Sequence, residues 1–270
     1  MAQPPLSYRR EGKGPALLMF HGGVGSRNHW ERNIPELSRH FTVTAVDLPG
    51  FGASADVPPD VGAYLSLVTD AAAALGGDRF GLAGFSFGAV VGAAVASRLG
   101  RAVEFLSMIA PGGLGVPKGR QLDIRPVPPE GLDSAEGRVA LRHNLTVTMF
   151  ADAAAADDTA VELHRSNIAR ARFDSRRISL QDRLLADLRS VRCPLQLIWG
   201  KCDAMAYPSI QSRIDTIKAV RSDARVDLIA GAGHWAQYER PAETNRALLD
   251  FMLPIIETAH GRAVMTGRTW

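Results

Sequence analysis

Six short apolar runs, each closed by a turn signal, constrain this chain more than any other feature. They cover residues 16–20 before His21-Gly22-Gly23, 41–46 before Asp47-Leu48-Pro49-Gly50, 79–83 before Gly84, 103–110 before Pro111-Gly112-Gly113, 195–199 before Gly200, and 226–230 before Gly231. Apolar runs this short, without polar alternation, read as strands buried on both faces of a parallel sheet. Between them lie stretches with helical spacing, at 63–75, 87–99, 209–220 and 242–256, the last behind Pro241. Parallel strands need long crossovers, and helices that alternate with strands cover both sheet faces. The expected class is therefore α/β, with a mostly parallel central sheet and helices on both sides.

One stretch breaks the alternation. Residues 114–188 hold no convincing strand; they open with a Gly/Pro-rich segment and continue as an Arg-rich helical pattern. A structureless loop of that length does not suit a compact domain. The expectation is an inserted helical lid at 114–188, a core made of 1–113 and 189–260, and a loose C-terminal tail at 261–270.

Composition closes off other classes. The chain has 270 residues, 46% of them hydrophobic and 22% charged, which excludes disordered, collagen-like and coiled-coil chains. No apolar run reaches the length of a membrane span. The opening Met1-Ala2-Gln3-Pro4-Pro5 lacks a signal-peptide core, and cytoplasm is the expected compartment. All but four of the 31 basic residues are arginine, yet 28 acids nearly balance them and no aromatic-basic interleaving appears. No nucleic acid and no membrane are expected as partners. Two cysteines, Cys193 and Cys202, cannot build a disulfide framework and stand too far apart across an extended run to pair. Nothing has metal-ligand spacing. Gly23-Val24-Gly25 begins a dinucleotide fingerprint but has Asn28 where the last glycine belongs, and Gly12-Lys13-Gly14 lacks phosphate-loop spacing. No cofactor and no metal are expected.

The chemistry-bearing motif is Gly84-Phe85-Ser86-Phe87-Gly88, placed between a strand pattern and a helix pattern. A serine on such a turn is forced into a strained conformation that projects its hydroxyl from the sheet edge, and flanking glycines let strand and helix cross closely. With these residues the chain resembles an α/β-hydrolase, a fold whose catalytic order is nucleophile, acid, histidine. The resemblance implies Ser86 as nucleophile. It implies His234, in the glycine-rich Gly231-Ala232-Gly233 loop, as base, and Asp203, after the fifth apolar run, as its orienting acid. The five histidines 29, 40, 143, 164 and 260 lack such placement. By the same resemblance the His21-Gly22-Gly23-Val24-Gly25 turn lends the N–H of Gly23, with that of Phe87, to an oxyanion hole.

A serine nucleophile disfavours haloalkane dehalogenase and epoxide hydrolase chemistry. The stretch His234-Trp235-Ala236-Gln237 is similar to the histidine loop of the meta-cleavage-product hydrolases, which cut a carbon–carbon bond in 2-hydroxy-6-oxo-dienoates. That resemblance implies a lid arginine for the substrate carboxylate. The local pattern Glu162-Leu163-His164-Arg165 nominates Arg165, with Arg170 and Arg172 as rivals. Gly22, Phe85 and Trp235 complete the expected substrate contacts. Phe85 and Phe87 depart from the Asn and Met that this group commonly carries there, and they make a more apolar pocket. A carboxylesterase or lactonase on small apolar esters is the alternative, and a hydrolase-fold ligand-binding protein the non-enzymatic one. The expected partner is a small apolar molecule with a carboxylate or ester; a homo-oligomer is possible by resemblance.

Overall fold

The computed structural model describes residues 6–57 and 59–265, except for the side chains of 129 and 259–265. Seven strands form one sheet: β1 (Tyr8–Glu11), β2 (Ala16–Phe20), β3 (Thr42–Val46), β4 (Phe80–Phe85), β5 (Val103–Ile109), β6 (Leu195–Gly200) and β7 (Arg225–Ile229). Ten α-helices accompany them among the described residues: α1 (Ile34–Leu37), α2 (Val61–Gly76), α3 (Phe87–Leu99), α4 (Ala135–Thr148), α5 (Asp158–Ala169), α6 (Arg176–Ser179), α7 (Leu184–Ser190), α8 (Ile210–Lys218), α9 (Ala236–Glu239) and α10 (Pro241–Met265). The sheet order is β1-β3-β2-β4-β5-β6-β7. Only β1 runs antiparallel, against β3.

All six apolar runs are strands. The seventh strand, β1, has no such signature because Tyr-Arg-Arg-Glu carries no apolar period: it is an edge strand, mostly exposed. Charge on an edge discourages pairing with a second sheet. In β5 the alternation of side chains shows the two-faced burial directly. Phe105 meets Phe251 of α10, while Leu106 points to the other face, against Gly92 of α3. On that second face α3 packs with α2 and α7. Its first ten residues, Phe87–Ala96, are all buried, so small side chains there are a packing requirement.

The strand order reverses between β2 and β4, which places the loops after these strands side by side at the carboxyl edge of the sheet. Such a reversal opens the crevice in which α/β sheets bind ligands. Three non-glycine residues among those described have positive φ: Val24 (48°), Ser86 (51°) and Ala110 (46°). They follow β2, β4 and β5, so the backbone strain gathers at this one edge.

Between β5 and β6 the chain makes its helical excursion through α4, α5, α6 and α7. A bridge between Leu114 and Asp182 closes the base of that excursion, with Gly113 N–H donating to Ser179 O at 2.7 Å and Leu184 N–H to Gly113 O at 3.0 Å. Helix α7 packs on α3 and so lies with the core helices. Of the expected tail, 261–265 continue α10, and 266–270 lie outside the described residues. No described helix is long and apolar enough to cross a membrane.

Candidate active site

Ser86 stands between the last residue of β4 and the first of α3, at φ 51° and ψ −110°. The turn is sharp because its glycines are pressed from both sides. A Cβ at Gly84 would lie 2.5 Å from Gly88 O, and one at Gly88 would lie 2.4 Å from His21 O. The Ser86 N–H is tied to Ile109 O at 2.8 Å. The strained position is thus held by its neighbouring strand.

The side chains of Ser86, His234 and Asp203 form one hydrogen-bonded chain. His234 Nε2 lies 3.1 Å from Ser86 Oγ. His234 Nδ1 lies 3.0 and 2.9 Å from the two carboxylate oxygens of Asp203. A carboxylate only accepts, so Nδ1 carries the proton and Nε2 is left to accept from the serine hydroxyl. Asp203 is fixed in turn by the Met205 N–H, which donates to Oδ1 at 2.8 Å. Both His234 and Asp203 are buried. Their loops meet at Gly200, where a Cβ would come 2.1 Å from Gly233 O.

The turn after β2 faces the same serine. Gly23 sits opposite Phe87: a Cβ on Gly23 would be 3.8 Å from Phe87 Cβ and 2.5 Å from Ser175 Oγ, just ahead of α6. Among the described residues, the N–H groups of Gly23 and Phe87 have no hydrogen-bond partner. For Phe87 this follows from its place at a helix start. Gly22 is anchored differently, its N–H donating to His29 Nδ1 at 3.2 Å, with the Phe85 ring beside it.

Two groups outside the expected set hold the loops around Ser86 and His234. Glu239 is buried and accepts from Gly233 N–H at 2.7 Å, Ala151 N–H at 2.9 Å and Asp152 N–H at 2.8 Å. It therefore clamps the histidine loop to the end of the α4 segment. His21 is also buried: Nδ1 lies 2.7 Å from Gly22 O, and Leu48 N–H donates to Nε2 at 3.0 Å. Burial lowers its pKa to about 4, against the opposing pull of the Gly22 carbonyl and Asp47. The sole sequence signal for Glu239 is its place between His234 and Pro241; nothing local marks His21 as a loop anchor.

The cavity beside Ser86 has a volume of about 100 Å³ and is lined by His234, Asp203, Trp199, Leu180 and two arginines, Arg120 and Arg213, among others. The lid arginines expected there lie elsewhere. Arg165 is held by Glu162 at 2.7 Å and Asp133 at 2.6 Å. Arg170 is an exposed residue at the end of α5. Arg172 reaches back to Asp56 and to the carbonyls of Gly52 and Ser54. None of the three lines the cavity. Trp235 does not line it either: its indole N–H donates to His29 O at 3.1 Å, and its ring stacks on Tyr238 and Phe150. Phe85 packs its ring against His234 with centroids 5.1 Å apart. Both cysteines are free thiols; burial pushes Cys193 up to about 12.

Residues 17–247 match the model of the alpha/beta hydrolase family. The chain is 31% identical over 250 residues to the dihydrolipoyllysine-residue acetyltransferase component of the acetoin cleaving system of Pseudomonas putida, a match to 88% of this chain and 64% of that protein. It thus spans less than two thirds of that relative's length. It is 24% identical over 267 residues to a 2-hydroxy-6-oxo-6-phenylhexa-2,4-dienoate hydrolase of Comamonas testosteroni, with 92% of this chain and 91% of that one aligned. Among solved structures it is similar to a bacterial membrane phospholipase A, with a TM-score of 0.73, 26% identity, and 93% and 83% of the two chains covered. With the family match running over most of its length, the chain belongs to the alpha/beta hydrolase family.

Proposed function

We propose that this chain is a hydrolase that uses Ser86 as a nucleophile to cleave an acyl bond through a covalent acyl-enzyme, and that the bond is an ester of a short acyl group. The single observation that carries the chemistry is the Ser86–His234–Asp203 hydrogen-bonded chain, with 3.1 Å between Oγ and Nε2. In the first half-reaction the Ser86 proton passes to His234 Nε2 as Oγ bonds to the carbonyl carbon. The charge that develops on the carbonyl oxygen is met by the N–H groups of Gly23 and Phe87. Asp203 stabilises the imidazolium, which then protonates the departing alkoxide as the ester C–O bond breaks. Water, deprotonated by His234, attacks the acyl carbon and releases the acid with Ser86 restored.

A short acyl group suits the cavity volume of about 100 Å³, since sites for drug-sized ligands run to about 300–1,000 Å³. Of the segment 114–188, the part ahead of α7 is read as the lid over this cavity, because Ser179 and Leu180 line it.

A second reading, cleavage of a carbon–carbon bond in a 2-hydroxy-6-oxo-dienoate, is favoured by the relative of that activity aligned over 91% of its length. There the leaving group would be a carbon that takes the proton from His234. One assay series separates the readings. Ester hydrolysis is followed with 4-nitrophenyl esters of rising acyl length, and carbon–carbon cleavage by loss of the dienolate's visible absorbance. We expect turnover of acetyl and butyryl esters, loss of about 10³-fold or more of kcat in Ser86→Ala, and covalent labelling of Ser86 by a fluorophosphonate. A Ser86→Ala variant as active as the wild type would remove the serine mechanism. Dienoate turnover with inert esters would transfer the assignment to the second reading.

A further inference from the structure

Of the three arginines of the 114–188 segment that were expected to face substrate, two are matched to acids, Arg165 to Glu162 and Asp133 and Arg172 to Asp56. The two arginines in the cavity are not. Arg120 donates to Met205 O at 3.0 Å. Arg213 donates from Nε to Tyr207 O at 2.6 Å and from NH1 to Leu114 O at 3.5 Å. All three acceptors are neutral carbonyls, and among the described residues these are the hydrogen-bond partners of the two guanidinium groups, none of them a carboxylate. The acid whose charge acts on both is Asp203, whose oxygens already serve His234 Nδ1 and Met205 N–H.

We propose that Arg120 and Arg213 form a subsite for a carboxylate group carried by the substrate, beside Ser86 and distinct from the lid arginines expected for that role. The carbonyls of Tyr207, Met205 and Leu114 hold the two side chains in place, and among the described residues each guanidinium keeps an NH2 without a partner. Two like charges share one small cavity with apolar walls from Leu180, Met205 and Ala206. Burial disfavours both charges, and the charge of Arg120 further disfavours that of Arg213. An anion between them relieves both penalties, and the planar guanidinium fork suits a carboxylate. The inference rests on the serine-hydrolase reading only for what happens to the bound molecule: it specifies an acid-bearing ester or acid-bearing ketone as substrate.

Matched pairs of esters test it: 4-nitrophenyl hemiglutarate against 4-nitrophenyl valerate, with the acid in the acyl half, and 4-carboxyphenyl butyrate against phenyl butyrate, with the acid in the alcohol half. The wild type is expected to prefer the acid-bearing member of one pair by about tenfold or more in kcat/KM. Arg120→Gln and Arg213→Gln should each reduce that ratio by about 10- to 100-fold, the factor that one charge-assisted hydrogen bond supplies. Lysine at either position should restore part of it, which a misfolded variant cannot show. Ratios that stay unchanged in both glutamine variants overturn the subsite. Calorimetric titration of glutarate into the Ser86→Ala protein tests binding without chemistry. Saturable binding, weakened about tenfold by Arg213→Gln and by added salt, supports the subsite even if no ester proves to be a substrate; absence of binding overturns it.

Discussion

Asp203 does two things at once, and an asparagine there cannot do both. Its Oδ1 accepts from the Met205 N–H at 2.8 Å while the carboxylate accepts from His234 Nδ1. In Asp203→Asn the amide oxygen is drawn to the Met205 N–H, which turns the NH2 toward Nδ1. The imidazole then protonates on Nε2 and no longer accepts from Ser86. We expect kcat to fall about 10³- to 10⁴-fold with little change in stability, measured on a neutral 4-nitrophenyl ester; a loss below tenfold would contradict the tautomer argument. His21 makes a different prediction. Its pKa falls from 6.5 to about 4 on folding, so the unfolded chain binds a proton that the folded chain refuses. Its contribution is fully present above pH 6.5 and is lost progressively as pH drops toward 4, by about 3 kcal/mol in all. Urea unfolding at a series of pH values should show this decline, and the His21 ring should remain neutral by NMR at pH 5.5. A ring that titrates near 6.5 in the folded protein would refute it.

The loop that carries His234 is held by a carboxylate and by close backbone approach at Gly200. Glu239, in α9, holds Gly233 of the histidine loop and Ala151 and Asp152 after α4 through three N–H donors. Glutamine would present an NH2 to at least one of these donors, leaving it buried without an acceptor. Glu239→Gln should lower stability by about 2–3 kcal/mol and reduce kcat as the His234 loop loosens, read by denaturant midpoint and ester turnover together. Wild-type values in both would show that the clamp has no function. The helix that follows Ser86 is readable to its last residue, because Gly100 stands next at φ 55°, where glycine alone sits without strain. Strand β1 is not readable, since its pairing with β3 is made by backbone groups that leave no apolar trace in Tyr-Arg-Arg-Glu.

Across the whole molecule, the helical excursion is docked on the core by polar contacts and by aromatic packing. Asn167 of α5 is buried and exchanges hydrogen bonds with Asn28 at 3.0 and 2.9 Å while accepting from Ser26 at 2.9 Å. Phe173 stacks on Tyr64 with centroids 4.3 Å apart. Truncation in Asn167→Ala should therefore loosen α5 and α6 without touching the sheet. Hydrogen exchange should speed up about tenfold or more in α5 and α6 and stay unchanged in β4 and β5. Uniform acceleration would mean that the excursion and the sheet unfold as one unit.

The strands buried on both faces, the glycines around Ser86 and the glycine loop before His234 are all legible in the linear chain, because each answers to neighbours a few residues away: hydrophobic burial, a positive φ, a close crossing. Partners far apart in the chain are another matter. Ser86 and His234 are separated by 148 residues, and their meeting depends on the order in which the strands assemble. The arginines show the limit most clearly. Arg165 sits in the more suggestive local pattern yet is neutralised by Glu162 and Asp133, whereas Arg120 and Arg213 reach the cavity from a Gly/Pro-rich stretch and from an ordinary amphipathic helix. A guanidinium on a long flexible stem takes whichever acceptors folding brings near it, so its role follows from the path of the chain around the sheet and not from the residues beside it.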